Sequence, residues 1–216
     1  MFDWLKKKTK DDQARPSVPE ILGFRLGGVV ELNDLKLRLL EGKLTFEKVA
    51  KQQMIQAVGV VKLDANTSIL RYYTDDDGFF QVVLEGGMTE NHINDVQLWF
   101  YYDTKGVANE SDWNTLLKNS ISQPTYSLGD HTYTRLWEDV GEKSFPVPMI
   151  ETTHAEDGTQ SLTDQFVMLY ERTITDDMVE LLMISGEESI AGTEHERCLV
   201  KSTGIPLSSA DFEVVA

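Results

Sequence analysis

Val96-Gln-Leu-Trp-Phe-Tyr-Tyr102 decides how the rest of the chain is read. Successive side chains of a strand point to opposite faces, so Val96, Leu98, Phe100 and Tyr102 share one face while Trp99 and Tyr101 take the other. Large apolar groups on both faces imply a strand covered from both sides. Working outward, residues 55–63, 67–73 and 79–84 read as strands on the N-terminal side, with Ile69 alternating with Arg71. The run Thr74-Asp-Asp-Asp-Gly78 between the last two suits a hairpin loop. On the C-terminal side, residues 132–137, 147–153, 165–171, 179–184 and 197–201 read the same way. Phe145-Pro-Val-Pro148 suits a sheet edge or an extended connection, since each proline removes a ladder donor.

Helical spacing interrupts the strands once: Trp113, Leu116 and Leu117 follow a cap at Asn109 or Ser111. Residues 45–53 hold good helix formers and predict a second helix, whereas 34–40 fits either state, through Leu35, Leu37 and Leu39 or through Leu32, Leu35 and Leu39. The expected fold is mainly β, with α+β as the variant: curved antiparallel sheets or a sandwich with one or two peripheral helices. Residues 1–19 form a flexible basic segment and linker, and residues 20–216 the globular body, as one unit or as two related β subdomains of about 20–105 and 125–216. The duplication reading rests on Asp76-Asp-Gly78 before Gln81 and Glu156-Asp-Gly158 before Gln165.

Composition excludes several classes. One cysteine in 216 residues removes a disulfide framework and any multi-cysteine zinc module. No apolar run reaches the ~18 residues of a membrane-spanning helix. A net charge of -16 argues against nucleic acid as a partner and favours a basic protein partner. The imbalance is uneven: residues 1–10 carry +3, four lysines against Asp3, so residues 11–216 carry -19. That first segment lacks the apolar stretch of a secretory signal, which makes the cytoplasm the expected compartment. Its Phe2, Trp4 and Leu5, beside Lys6, Lys7, Lys8 and Lys10, read as a weak anchor to an anionic membrane surface or a partner, or else as a solubilising tail.

Motifs for chemistry are sparse. Aligning Gly78 to the glycine of a calcium-binding EF-hand loop puts Tyr73 and Leu84 at ligand positions, so the loop reads as a hairpin tip. His92, His131, His154 and His195 have no ligand-like spacing among themselves, and no metal or other cofactor is expected. His195 precedes Cys198 by three residues, a spacing that on a strand sends the two side chains to opposite faces, so no catalytic residue is assigned. The candidate ligand-binding row is His131, Tyr133, Arg135 and Trp137, which alternation places on one face of strand 131–137. Such a row could recognise a carboxylate, a sugar or a peptide, or could simply pack.

The strings Ala57-Val-Gly-Val-Val-Lys-Leu63, Leu70-Arg-Tyr-Tyr-Thr-Asp-Asp-Asp-Gly78, Val96-Gln-Leu-Trp-Phe-Tyr-Tyr102 and Tyr133-Thr-Arg-Leu-Trp137, with the Phe2-Asp-Trp-Leu-Lys-Lys7 start, resemble the YjfK-like bacterial family, a domain of unknown function. The resemblance implies no activity, cofactor or catalytic residue. Its members are often encoded beside phage-shock-like membrane-remodelling proteins and an ATP-grasp ligase, which implies an accessory role near the inner membrane. The leading expectation is therefore a non-enzymatic cytoplasmic interaction protein, peripheral to the inner membrane, with a protein partner and weak contact to anionic lipid. The alternative is a small-ligand binder or enzyme using the face of strand 131–137.

Overall fold

A computed structural model describes residues 18–136, 141–191 and 194–215. Eight long strands form its centre: β2 (Gln52–Lys62), β3 (Thr67–Thr74), β4 (Gly78–Glu85), β5 (Ile93–Gly106), β8 (Val147–Ala155), β9 (Gln160–Thr175), β10 (Met178–Ala191) and β11 (Glu194–Pro206). Each pairs antiparallel with its neighbour in the order β2-β3-β4-β5-β11-β10-β9-β8, and β8 pairs back onto β2. The sheet thus closes into a barrel, which removes the edges that an open sheet must protect. The mainly β expectation holds, and the curved antiparallel sheet it allowed is a closed one.

Two four-strand meanders, β2–β5 and β8–β11, build the barrel and meet along two seams, β2 with β8 and β5 with β11. The two Asp-Gly loops occupy different places in these meanders: Asp76-Asp-Gly78 joins second strand to third, and Glu156-Asp-Gly158 joins first to second. Of the prolines in the 145–148 stretch, Pro146 precedes β8 and Pro148 falls where β8 has one neighbour, since β2 pairs with it only from Glu151 onward.

Many of the large apolar side chains of this barrel point outward, while a smaller cluster with Phe79, Trp99, Val167, Leu181 and Met183 lies within it. On β3, Leu70 and Tyr72 join Val58, Phe80, Val82, Leu98 and Phe100 in a cluster outside the wall. Residues 18–49, including β1 (Val29–Leu32) and α1 (Asp34–Leu39), cover it together with β12 (Phe212–Val214). Asn33 caps α1 through the Leu35 amide. A second outer cluster, with Met168, Tyr170, Leu182, Ile184 and Leu199, is covered by α2 (Glu110–Thr115), the wider turn Leu116–Ser120 that follows it, β6 (Thr125–Leu128) and β7 (His131–Arg135). The two-sided reading of 96–102 follows from this layering: Leu98 and Phe100 lie in the outer cluster and Trp99 lies within the barrel.

Residues 45–53 are not the expected helix. They run as an extended strap that enters β2 at Gln52. A helix would use its own amides internally, but here the Thr45 amide donates to Glu180 Oε1 (2.6 Å) and the Ala50 amide to Asp76 Oδ2 (2.8 Å). Lys48 adopts a left-handed φ of 59°, and Phe46 and Val49 pack onto the outer cluster. Tertiary contacts outweigh local propensity.

Candidate functional site

Beside the inner apolar cluster, several strands turn polar side chains inward, and these converge on Arg71. Arg71 sits on β3 opposite Gly59 of β2 and Gln81 of β4. Its Nε donates to Gln81 Oε1 (2.9 Å), and Nη1 donates to Glu151 Oε2 and Gln165 Oε1 (both 2.8 Å). The remaining guanidinium nitrogen lies against the sulfurs of Met183 (3.8 Å) and Met149 (4.0 Å), and the group sits over the Phe79 ring at 5.6 Å. Glu151, 1% exposed, also accepts from Tyr73 Oη (2.6 Å) and Gln165 Nε2 (2.8 Å). Gln81 hands the chain on to Gln97, which takes the Trp99 indole N–H and donates to Asp95. Such a satisfied network fixes one arrangement of the interior, because a buried charge without a partner is costly.

Gly59 makes room for it. A Cβ there would stand 1.7 Å from Glu151 Oε1 and 2.8 Å from its Cδ. Only a residue without a side chain lets β8 direct a carboxylate across β2 to Arg71.

Between this network and one end of the barrel lies a cavity of about 80 Å³, lined by Tyr73, Tyr101, Glu151, Ser185 and Glu187 among others. Burial pulls the Arg71 guanidinium down, but the Glu151 charge and Tyr73 outweigh it and hold it above its ordinary value. Burial and then Glu151 raise the Tyr73 phenol, and burial and then Glu187 raise Tyr101. Glu187 is pushed up by burial and by Glu151, with Arg71 opposing.

A second polar cluster ties the strap to the barrel. Glu180, fully buried on β10, accepts from the Thr45 amide, Thr45 Oγ1 (2.9 Å), Tyr133 Oη (2.8 Å) and Arg172 Nε (2.7 Å). Arg172 also lies over the Tyr133 ring.

The row expected on strand 131–137 is therefore divided. Tyr133 is buried against Glu180. Arg135, 4% exposed, donates to the carbonyls of Ser122 and Gly141 and so holds the excursion between β5 and β8. His131 is exposed beside an open surface groove with Asp130, Glu171 and Arg172. Trp137, like Phe2, Trp4, Leu5, Lys6, Lys7, Lys8 and Lys10, lies outside the described residues. Cys198 is partly buried, its thiol raised by burial and by Glu187 and Glu196. The acidic loop forms the β3–β4 turn, where Asp75 and Asp76 receive the Met54 and Ala50 amides. Among the described residues no group of three or more His, Cys, Asp or Glu side chains could hold a metal ion, and no helix is long and apolar enough to cross a membrane.

Arg71, Glu151, Gln165 and Glu187 were not singled out by sequence reasoning. The one available signal was the polar alternate of strand 67–73, Arg71, which points into the barrel instead of to solvent.

With this geometry in view, comparison with known proteins supplies a lineage. Residues 1–213 match the family described as "Protein of unknown function (DUF2491)". The chain belongs to this family. It is also 30% identical over 198 residues to the uncharacterized protein YjfK of Escherichia coli (strain K12), covering 90% of both chains. No solved structure gives a significant match. The resemblance carried by the four strand segments and the N-terminal start is thereby shown, and the family brings no activity with it.

Proposed function

We propose that this protein is a non-enzymatic interaction module whose barrel presents its outer wall to a basic protein partner, acting in the cytoplasm at the inner membrane. One observation carries the reading. The wall is covered on two sides, but among the described residues nothing covers the outer face of β8 and the start of β9, and apolar residues stand on it. Ile150 is 59% exposed and Leu162 64% exposed, diagonal neighbours across the β8–β9 ladder, and Phe145 just before β8 is 78% exposed. A shallow groove of about 380 Å³ runs beside them, with Lys62, Pro148, Asp164 and Phe166 in its lining. Clustered apolar side chains with polar rims mark protein contact surfaces more often than solvent-facing wall.

The interior supports the same reading. Its side chains leave about 80 Å³, well below the roughly 300–1,000 Å³ that pockets for organic ligands enclose. The net charge of -16 favours a basic partner and makes its capture sensitive to salt.

The N-terminal lysines, with Phe2 and Trp4, would add weak contact with anionic lipid, each basic residue contributing about 1 kcal/mol at such a surface. Two experiments test the reading. Affinity capture from lysate at low and high salt should retain a defined partner with the intact chain and lose it with Ile150→Asp/Leu162→Asp; equal retention by the variant overturns the assignment of the wall. Co-sedimentation with anionic vesicles should be lost on deleting residues 1–10, and vesicle binding unchanged by that deletion removes the anchor.

A further inference from the structure

We propose that the barrel cavity beside Glu187 is a receptor site for a primary ammonium group, brought either by a small free amine or by a lysine side chain. The proposal goes beyond the outer-wall reading and does not depend on it.

The charges in the cavity do not balance. It is lined by two carboxylates, Glu151 and Glu187, and one guanidinium, Arg71. Glu151 is committed, holding Arg71, Tyr73 and Gln165 through its two oxygens. Glu187 is not: among the described residues its one hydrogen bond in the interior is a long contact from Gln165 Nε2 at 3.4 Å. Beside it Ser185, 3% exposed, lines the same space; its hydroxyl has no partner of full hydrogen-bonding geometry, and its nearness to Glu187 favours the carboxylate against the burial that raises it. Acceptor capacity therefore remains unused around this space: Glu187 is met there only by the long Gln165 contact and by the nearby Ser185 hydroxyl, and the buried Ser185 oxygen has no donor of hydrogen-bonding geometry.

An ammonium group suits this lining. It has three donors and no acceptor. Glu187 supplies a charged acceptor, Ser185 a neutral one, and Tyr101 a phenol oxygen at the mouth, where that residue is 45% exposed. The rings of Tyr73 and Phe79 border the space and form its apolar wall. Anions are disfavoured because Arg71 spends its oxygen-directed donors on Gln81, Glu151 and Gln165. Size sets the limit: about 80 Å³ is the share of two or three waters at roughly 30 Å³ each, room for an ammonium with a short alkyl stem and no more.

The groups facing Glu187 come from the adjacent strands: Arg71 and Tyr73 from β3, Tyr101 from β5, Glu151 from β8, Gln165 from β9 and Cys198 from β11, with Glu196 acting on Cys198 in turn. Arg71 is the only cation among them. Burial holds the Glu187 carboxyl above its ordinary range. Ammonium binding, which favours the carboxylate, should therefore release protons wherever Glu187 is still partly protonated.

The test uses the intact chain and observes methylammonium by saturation-transfer NMR, with tetramethylammonium and acetate as controls and a capped lysine as the second probe. Methylammonium or capped lysine should bind, while tetramethylammonium, too bulky and without donors, and acetate should not. Glu187→Gln should weaken binding by about tenfold or more through loss of a charge-assisted hydrogen bond, and Ser185→Ala by a smaller factor. Binding of methylammonium alone identifies a free amine as the source, and tighter binding of capped lysine identifies a side chain. Circular dichroism confirms that both variants keep the fold. The proposal is overturned if neither probe binds, if acetate binds as well, or if Glu187→Gln leaves affinity unchanged.

Discussion

Gly59→Ala isolates the packing of the barrel interior in a single methyl group. The added Cβ would lie 1.7 Å from Glu151 Oε1 and 2.8 Å from Glu151 Cδ, with Tyr73 Cε2 at 3.1 Å. These distances cannot coexist with the present carboxylate position, so Glu151 must swing away from Arg71. Arg71 is 3% exposed and would lose its ion-pair partner Glu151, and breaking a buried pair from one side costs about 3–5 kcal/mol. Gly106→Ala in β5 is the control. Nothing lies within 4 Å of a Cβ there, so it should be neutral or stabilising by up to about 1 kcal/mol. Urea unfolding followed by tryptophan fluorescence measures both. The decisive comparison is a double-mutant cycle with Glu151→Ala, which removes the clashing atoms. The account predicts that Gly59→Ala costs several kcal/mol in the parent and less than about 1 kcal/mol once Glu151 is truncated. An equal cost in both backgrounds would refute the argument, because the glycine would then serve backbone geometry and not the carboxylate.

Arg71→Met alone should destabilise by about 3–5 kcal/mol, since it strands Glu151, and Arg71→Met/Glu151→Gln should recover most of that loss in the same urea assay. Glu187→Gln should raise the urea midpoint at pH 7 and leave it unchanged at pH 4. A carboxyl whose folded value lies above its unfolded one binds more protons when folded, so its contribution falls as pH rises through that interval. Thr45→Val removes a hydroxyl that donates to buried Glu180 and meets Tyr133 Oη at 2.7 Å; it should cost about 1.5–3 kcal/mol and accelerate amide exchange through residues 45–50.

Strand positions were largely legible because period-two alternation survives in 67–74 and 96–102, and because turn residues such as Asp75–Gly78 punctuate it. Alternation separates two faces but does not say which is inside. In this barrel Leu70 and Tyr72 face outward under a covering layer while Arg71 and Tyr73 face inward, so the usual assignment of the polar face to solvent inverts. That inversion hid the polar interior. Barrel closure was hidden for another reason: it depends on β8 pairing with β2 across about ninety intervening residues, and register over that distance leaves no local trace. The strap was misread because Thr45 and Ala50 spend their amides on Glu180 and Asp76, partners remote in sequence. Tyr133 and Arg135 share a face as alternation required, and that face is the packed one.

The outer-wall account is tested most directly by amide hydrogen exchange of the intact chain with and without the captured partner. It predicts protection concentrated at residues 148–152 and 160–164, around Ile150 and Leu162, weakening as salt rises. Protection confined to α1 or to the β6–β7 layer, with 148–152 and 160–164 exchanging as in the free protein, would contradict it.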